Sequence, residues 1–149
     1  MINEIDAKIL NILQKNSRTT NAEIARQIGM APSAVLERIR RLEKNKIINK
    51  YTVQIDPAEV NRGLLAFIQV IANGPVVDQK TAKAISQIPE VQEVHIVAGE
   101  DSYFVKVRVQ DPEDLTRLLR TKFASIKSIR TTNTTIVLET VKETSELIF

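Results

Sequence analysis

The chain has 149 residues, 43% of them hydrophobic, with one histidine, no cysteine and a net charge of +3. That length holds one domain or two small ones, and no stretch approaches the roughly 18 consecutive apolar residues of a membrane helix. Disulfide staples, thiolate zinc sites and a histidine-cluster metal site within one chain are excluded by composition. The charge is unevenly placed, +5 over residues 1–50 and −2 over the remainder, which assigns contact with a polyanion to the first part.

In chain order, Asn3 to about Lys15 reads as a helix, capped by Asn3, with Asp6 near the positive end of its dipole and Ile5, Ile9, Ile12 and Leu13 as its buried stripe. A polar loop, 16–20, leads to a second helix. Glu23 follows Thr20 at the three-residue spacing of a capping box, and Gly29 supplies the left-handed residue that ends the helix. Pro32 opens a third helix, whose Val35, Ile39 and Leu42 form a core-facing stripe. The order small residue (Ala25), turn glycine (Gly29), buried aliphatic (Val35) is what a helix-turn-helix needs, because two steeply crossed helices require a small contact residue and a tight turn.

Opposite the stripe the third helix presents Ser33, Ala34, Glu37, Arg41 and Lys44, flanked by Arg38 and Arg40. Small residues first and basic residues later suit entry into a major groove by the N-terminal end. Base-edge contact falls to Ser33, Ala34, Glu37 and Arg38, since Glu can accept from cytosine N4 and Arg can fork onto guanine. Phosphate contact falls to Arg18, Arg40, Arg41 and Lys44. The competing account is a helical hairpin with a solvated basic face, in which Glu37 simply pairs with Arg41 one turn on.

Residues 47–55 are β-branched and partly alternating, and read as extended chain, part wing and part linking strand, with Asp56-Pro57 as punctuation. The domains expected are a helix-turn-helix over 1–50, a linking strand or hinge over 51–62, and a second domain over 63–149. From Gly63 the apolar period becomes two. Leu64–Ala72 is apolar on both faces (Ala66, Ile68 and Val70 against Leu65, Phe67 and Ile71) and so needs cover on both sides, one layer from this chain's helices and one from a second copy. A helix over 77–88 follows, then a strand over 91–98, a turn over 99–102 and a strand over 103–109. Asp111-Pro112 opens a helix carrying Leu115, Leu118, Leu119 and Phe123, and the last strand runs over 129–141 with Thr132, Thr134, Ile136 and Leu138 on one face. The order βαββαβ is the ferredoxin-like arrangement, so the fold class is α+β: a three-helix, winged helix-turn-helix domain, a linking strand, and a ferredoxin-like domain.

This order resembles the Lrp/AsnC (feast/famine) family of transcriptional regulators over nearly the whole chain. The resemblance is carried by Ile5-Asp6-Ala7-Lys8-Ile9-Leu10, Asn16-Ser17-Arg18 and Asn21-Ala22-Glu23-Ile24-Ala25 leading to Gly29. It continues through Pro32, Arg38, Arg41-Leu42-Glu43, Ile48 and Tyr51, then Val91-Gln92-Glu93-Val94, Gly99 and the threonine-rich final strand. The chain departs from the family in having Ala31 at the usual Ser/Thr cap and Lys46 in place of a glycine, where Asn45 is expected to take the left-handed role. A third departure is Gly99-Glu100-Asp101-Ser102-Tyr103 in place of Gly-x-Tyr-Asp.

The resemblance implies a sequence-specific regulator on double-stranded DNA, dimerised through its second domain and extending to a tetramer of dimers, an octamer. It also implies a free amino acid bound around the loop between the second and third sheet strands. Gly99, Glu100, Asp101, Ser102 and Tyr103, with Thr132 and Thr134, are the candidate effector contacts. Turn amides would meet the carboxylate, and Glu100, Asp101 or Ser102 the ammonium. The simpler account is a hairpin turn whose polar residues serve turn geometry alone. No cofactor, metal or membrane partner is expected, no catalytic constellation is present, and no export leader precedes the first helix, so a cytoplasmic location is expected. The alternative function is an architectural DNA-packaging protein of the same fold without an effector.

Overall fold

The computed structural model describes residues 2–74, 79–98 and 102–149. The chain divides into two compact units, residues 1–54 with 142–149, and residues 55–141.

The first unit holds α1 (Glu4–Lys15), α2 (Asn21–Ile28) and α3 (Pro32–Lys44). They enclose a small core of Ile9, Leu10, Ile24, Ala25, Val35, Ile39 and Leu42. Local chemistry sets each boundary. Asn3 caps α1 and forms a reciprocal capping box with Asp6. At α2 only half of the expected box forms. Thr20 Oγ1 accepts from the Glu23 amide at 3.2 Å, but the Glu23 carboxylate accepts from Arg26 and Gln27, whose charge and donors outbid the Thr20 amide. Gly29 ends α2 at φ 71°, with the Met30 amide returning to the Ala25 carbonyl at 2.9 Å. At α3 Pro32 occupies the first turn and Ala31 supplies no side-chain cap.

The end of α3 differs from expectation. Asn45 keeps a negative φ, −83°, and Lys46 itself takes the left-handed conformation, φ 56°. The Lys46 and Ile47 amides bond to the Glu43 and Leu42 carbonyls, each at 2.9 Å. That bonding pattern is a Schellman motif, which puts the left-handed residue at the position of Lys46 whatever its side chain. The tail joins this unit at one clasp: the Gln14 side chain accepts from the Leu147 amide at 2.8 Å and donates to its carbonyl at 3.0 Å.

No linking strand or wing forms over residues 47–55: among the described residues no segment pairs with that stretch. Extended chain becomes a strand only when a neighbour takes up its amides and carbonyls. Val53 and Ile55 accordingly remain exposed. Asp56 then caps a turn, Oδ1 accepting from the Ala58 amide at 2.9 Å.

The second unit is a four-stranded antiparallel sheet in the order β2-β3-β1-β4, made of β1 (Leu64–Ala72), β2 (Val91–Val97), β3 (Ser102–Val109) and β4 (Ile129–Ile136). With α4 (Gln79–Ser86) and α5 (Pro112–Leu118) in the connections, it is the ferredoxin-like βαββαβ arrangement. Residues 75–78, which include the expected start of the first helix, lie outside the described residues. α5 is capped by Asp111 and continues into a π-helical turn, Leu119–Phe123.

The two sides of the sheet differ. Ala66, Ile68 and Val70 pair with Val107, Val105 and Tyr103, and this side is packed with Ile85, Leu115, Leu118 and Phe123 from the helices. The other side carries Phe67, Gln69 and Ile71, paired with Lys106, Phe104 and Ser102. There the rings of Phe67 and Phe104 stack at 5.4 Å, and Phe104 stays 40% exposed. β4 is shorter than the 129–141 expected. It ends where β1 runs out of partners: Ile136 is opposite Ala66, the Val137 amide still reaches the Leu65 carbonyl at 2.9 Å, and Leu138 lies fully exposed.

Candidate nucleic-acid interface

The third helix owes its placement to Val35 and Leu42, almost fully buried, and Ile39, 7% exposed. With that stripe inward, Ser33, Glu37, Arg40 and Lys44 are exposed on the far side, and Ala34 is half-buried beside them. The 16–20 loop comes alongside: a shallow groove of about 320 Å³ is lined by Ser17 and Thr19 from the loop and by Leu36, Ile39, Arg40 and Glu43 from α3. Arg18 sits between those two loop residues and is exposed, so its loop and Arg40 border one groove. Tyr51 closes an end of this groove, donating to Glu43 Oε1 at 2.9 Å. Partial burial and the Glu43 carboxylate push its phenol up to about 12.

Arg38 and Arg41 are placed differently from the other cations. Both turn toward α1 and meet on Asp6, which is 3% exposed. Arg38 Nη1 donates to Asp6 Oδ1 at 2.9 Å, and Arg41 Nη2 reaches Oδ1 at 3.1 Å and Oδ2 at 3.0 Å. Burial works to raise the Asp6 carboxyl, but the hydrogen bonds from Arg38 and the Asn3 amide, with the two guanidinium charges, outweigh it and hold it below the usual range. From sequence, Arg38 is expected at a base edge and Arg41 at a phosphate, with a Glu37–Arg41 pair as the competing account. The structure instead gives both arginines to Asp6, 32 and 35 residues away. The guanidinium of Arg38 is held by a buried carboxylate rather than presented at the helix's outward side. The sequence places Asp6 at the positive end of the helix dipole and in the motif over residues 5–10, and its spacing from Asn3 carries a capping signal, but none of these names its arginine partners.

Among the described residues, the candidate effector contacts do not share one surface. Gly99, Glu100 and Asp101 lie outside the described residues. Ser102 is fully buried on the side of Phe67 and Phe104, where its hydroxyl accepts from Gln69 Nε2 at 3.2 Å. Tyr103 is 1% exposed within the helix-covered core. Thr132 and Thr134 are half-buried on that same helix-covered side, opposite Val70 and Ile68. Alternation along β3 sends neighbouring Ser102 and Tyr103 to opposite faces, which the motif spacing alone does not reveal.

Known proteins fit this architecture throughout. Residues 2–43 match the AsnC-type helix-turn-helix domain, and residues 65–147 match the Lrp/AsnC ligand binding domain. The leucine-responsive regulatory proteins of Klebsiella pneumoniae and Escherichia coli K12 are each 34% identical over 99% of this chain and 91% of their own. A transcriptional regulator from Neisseria meningitidis, solved as its complex with L-Met, superposes with a TM-score of 0.92 at 28% identity, covering 99% of this chain and 97% of that one. AsnC of E. coli does so at 0.90, with 27% identity and 98% of both chains covered. No helix among the described residues is long and apolar enough to cross a membrane. The small-residue contact, glycine turn and basic outward helix face, joined to a ferredoxin-like sheet and matched along both units, show that the chain belongs to the Lrp/AsnC family of transcriptional regulators, with a helix-turn-helix DNA-binding domain and a ligand-binding domain.

Proposed function

We propose that this regulator reads double-stranded DNA through the outward side of α3 and responds to a free amino acid taken up by the sheet unit. The observation that supports the first half most directly is the exposed row Ser33, Glu37, Arg40 and Lys44 standing opposite the buried stripe. Ser33, Ala34 and Glu37 are then the base-edge set, and Arg18, Arg40, Lys44 and the half-exposed Arg41 the phosphate set. For the second half, the support is the ligand-binding-domain match and the Neisseria relative's complex with L-Met. The effector contacts are then Gly99, Glu100, Asp101 and Ser102, with Thr132, Thr134 and Tyr103, on the opposite side of the sheet from Ser102, acting through its packing.

The side of the sheet bearing Phe67, Phe104 and Ile71 takes a second copy of the chain, which places two reading helices in successive major grooves of a near-palindromic site. Further assembly to a tetramer of dimers builds on that pair. The protein acts where the DNA is, in the cytoplasm, and carries no catalytic role. An amino acid shifts this system only to the extent that it binds two assemblies or two head spacings differently.

The test is selection of bound duplexes from a random library, with and without a mixture of amino acids, followed by calorimetric titration of each amino acid. A recovered near-palindrome and heat from one or a few amino acids support the reading. A ratio of selected to random affinity near unity at stated salt favors the architectural alternative, and the absence of heat or thermal shift with any amino acid removes the effector.

A further inference from the structure

Asp6, which anchors the ion triad in the first unit, has no role in the DNA reading above. Asp6 is the buried partner, its side chain 4% exposed, while Arg38 is 22% and Arg41 53% exposed. One buried carboxylate therefore holds two cations of the reading helix, while part of Arg41 faces solvent. Arg38 Nη1 also lies 3.4 Å from Asn3 Oδ1, and the Asn3 amide closes on Asp6 Oδ2 at 3.4 Å. The triad thus ties the start of α1 to the middle of α3. Both carboxylate oxygens accept from guanidinium groups, and neither arginine can leave without exposing a buried charge.

We infer that Asp6 is a specificity-determining positioning residue: it withholds one unit of positive charge from DNA and fixes the direction in which Arg41 presents the rest. This rests on the reading that α3 meets DNA. Counterion release makes non-specific affinity depend on the number of cations available to phosphates, with a slope of log affinity against log salt of about −0.9 for each. Arg38, Arg41 and Asp6 together present one net charge instead of two. A guanidinium pinned on both carboxylate oxygens by one nitrogen offers its remaining N–H groups in one direction, which rewards a phosphate in register and not one that is displaced.

The experiment uses the full chain with Asp6→Asn, which keeps the shape and one acceptor, and Glu4→Gln as the charge control on an exposed position of the same helix. Affinity for a selected operator and for a random duplex is measured from 50 to 300 mM salt, with folding followed by circular dichroism. The expected result for folded Asp6→Asn is a random-duplex slope steeper by about one, a several-fold rise in random-duplex affinity at low salt, and a roughly tenfold fall in the operator-to-random ratio. Glu4→Gln leaves that ratio unchanged. An unchanged slope and ratio in folded Asp6→Asn, or an equal loss of both affinities, overturns the proposal, the latter because it marks a role in folding alone.

Arg41→Lys provides a second arm that does not depend on Asp6→Asn folding. It keeps the charge and can keep the one-nitrogen contact with Asp6, but it has no further guanidinium N–H groups to present in a fixed direction, so the random-duplex slope stays the same while the operator-to-random ratio falls several-fold. An unchanged ratio overturns the proposal here too. Arg40→Ala with Lys44→Ala tests the reading beneath it: unaltered DNA affinity in that double variant means α3 is not the DNA surface, whatever the Asp6 variants do.

Discussion

The two units keep their helices in place by different means. In the sheet unit twelve buried residues, from Ala66 to Phe123, form one apolar cluster, and charged pairs such as Glu90–Lys122 stand at its margin. In the helical unit the cluster has seven residues, and a buried carboxylate with two arginines crosses from α1 to α3. A three-helix unit of this size buries a modest apolar core, and an ion triad adds direction where a larger core would add energy. The smaller unit is thereby the one whose geometry is set by charge, and it is also the one that meets a polyanion.

That contrast can be broken first in the sheet. Ile68 is fully buried between Val105 and Thr134, so Ile68→Ala should cost about 3–4 kcal/mol, read as a lower denaturation midpoint, with no dependence on pH between 3 and 7. In the helical unit Asp6→Ala should cost about 2–4 kcal/mol, toward the lower end because Arg41 is half exposed, read by the same measurement.

Acid sharpens the distinction. The folded Asp6 carboxyl titrates below its unfolded value near 3.8, so its stabilization is complete above that value and is lost as pH falls through the lower folded one. Amide exchange in the first unit should therefore show acid sensitivity that Asp6→Asn reduces, the remainder belonging to Glu23, which the hydrogen bonds from Arg26 and Gln27 hold at about 2. The same acid sensitivity in the variant would break the comparison.

The smallest effects concern the ends of α3. Lys46→Gly relieves a left-handed non-glycine residue and should stabilize the first unit by about 0.5–1 kcal/mol, net of the unfolded chain's added freedom. Ala31→Ser supplies the missing cap and should add about 1 kcal/mol, seen as slower amide exchange over residues 33–36. Strong protection of those amides in the unsubstituted chain would show that the helix start is already ordered without DNA.

Most of the architecture was readable before any coordinates. Asn3, Thr20, Gly29, Pro32 and Asp111 act on amides or torsions within four residues of themselves, so their effect on helix ends is written locally. The apolar run of Leu64–Ala72 and the period-two alternation of β3 need no partner to be recognized. The family resemblance drawn on those pieces agrees with the matches along both units.

Tertiary structure decided what depends on distant partners. The carboxylate that takes Arg38 and Arg41 is more than 30 residues away, and a helical wheel carries no information about the helix beside it. Which side of the sheet the helices cover follows from the packing of Ile85, Leu115, Leu118 and Phe123, and that Thr132 and Thr134 stand on Tyr103's side follows from strand register. The end of β4 was set by the length of β1, and residues 47–55 remained without a strand because extended chain has no partner of its own. Lys46 became left-handed because the Schellman bonds at the end of α3 require it there. Sequence by itself determined the local elements and their order, because short-range torsions and caps specify them. The use of each charge and each face was settled by packing, because an electrostatic or apolar partner exists only once the chain has folded.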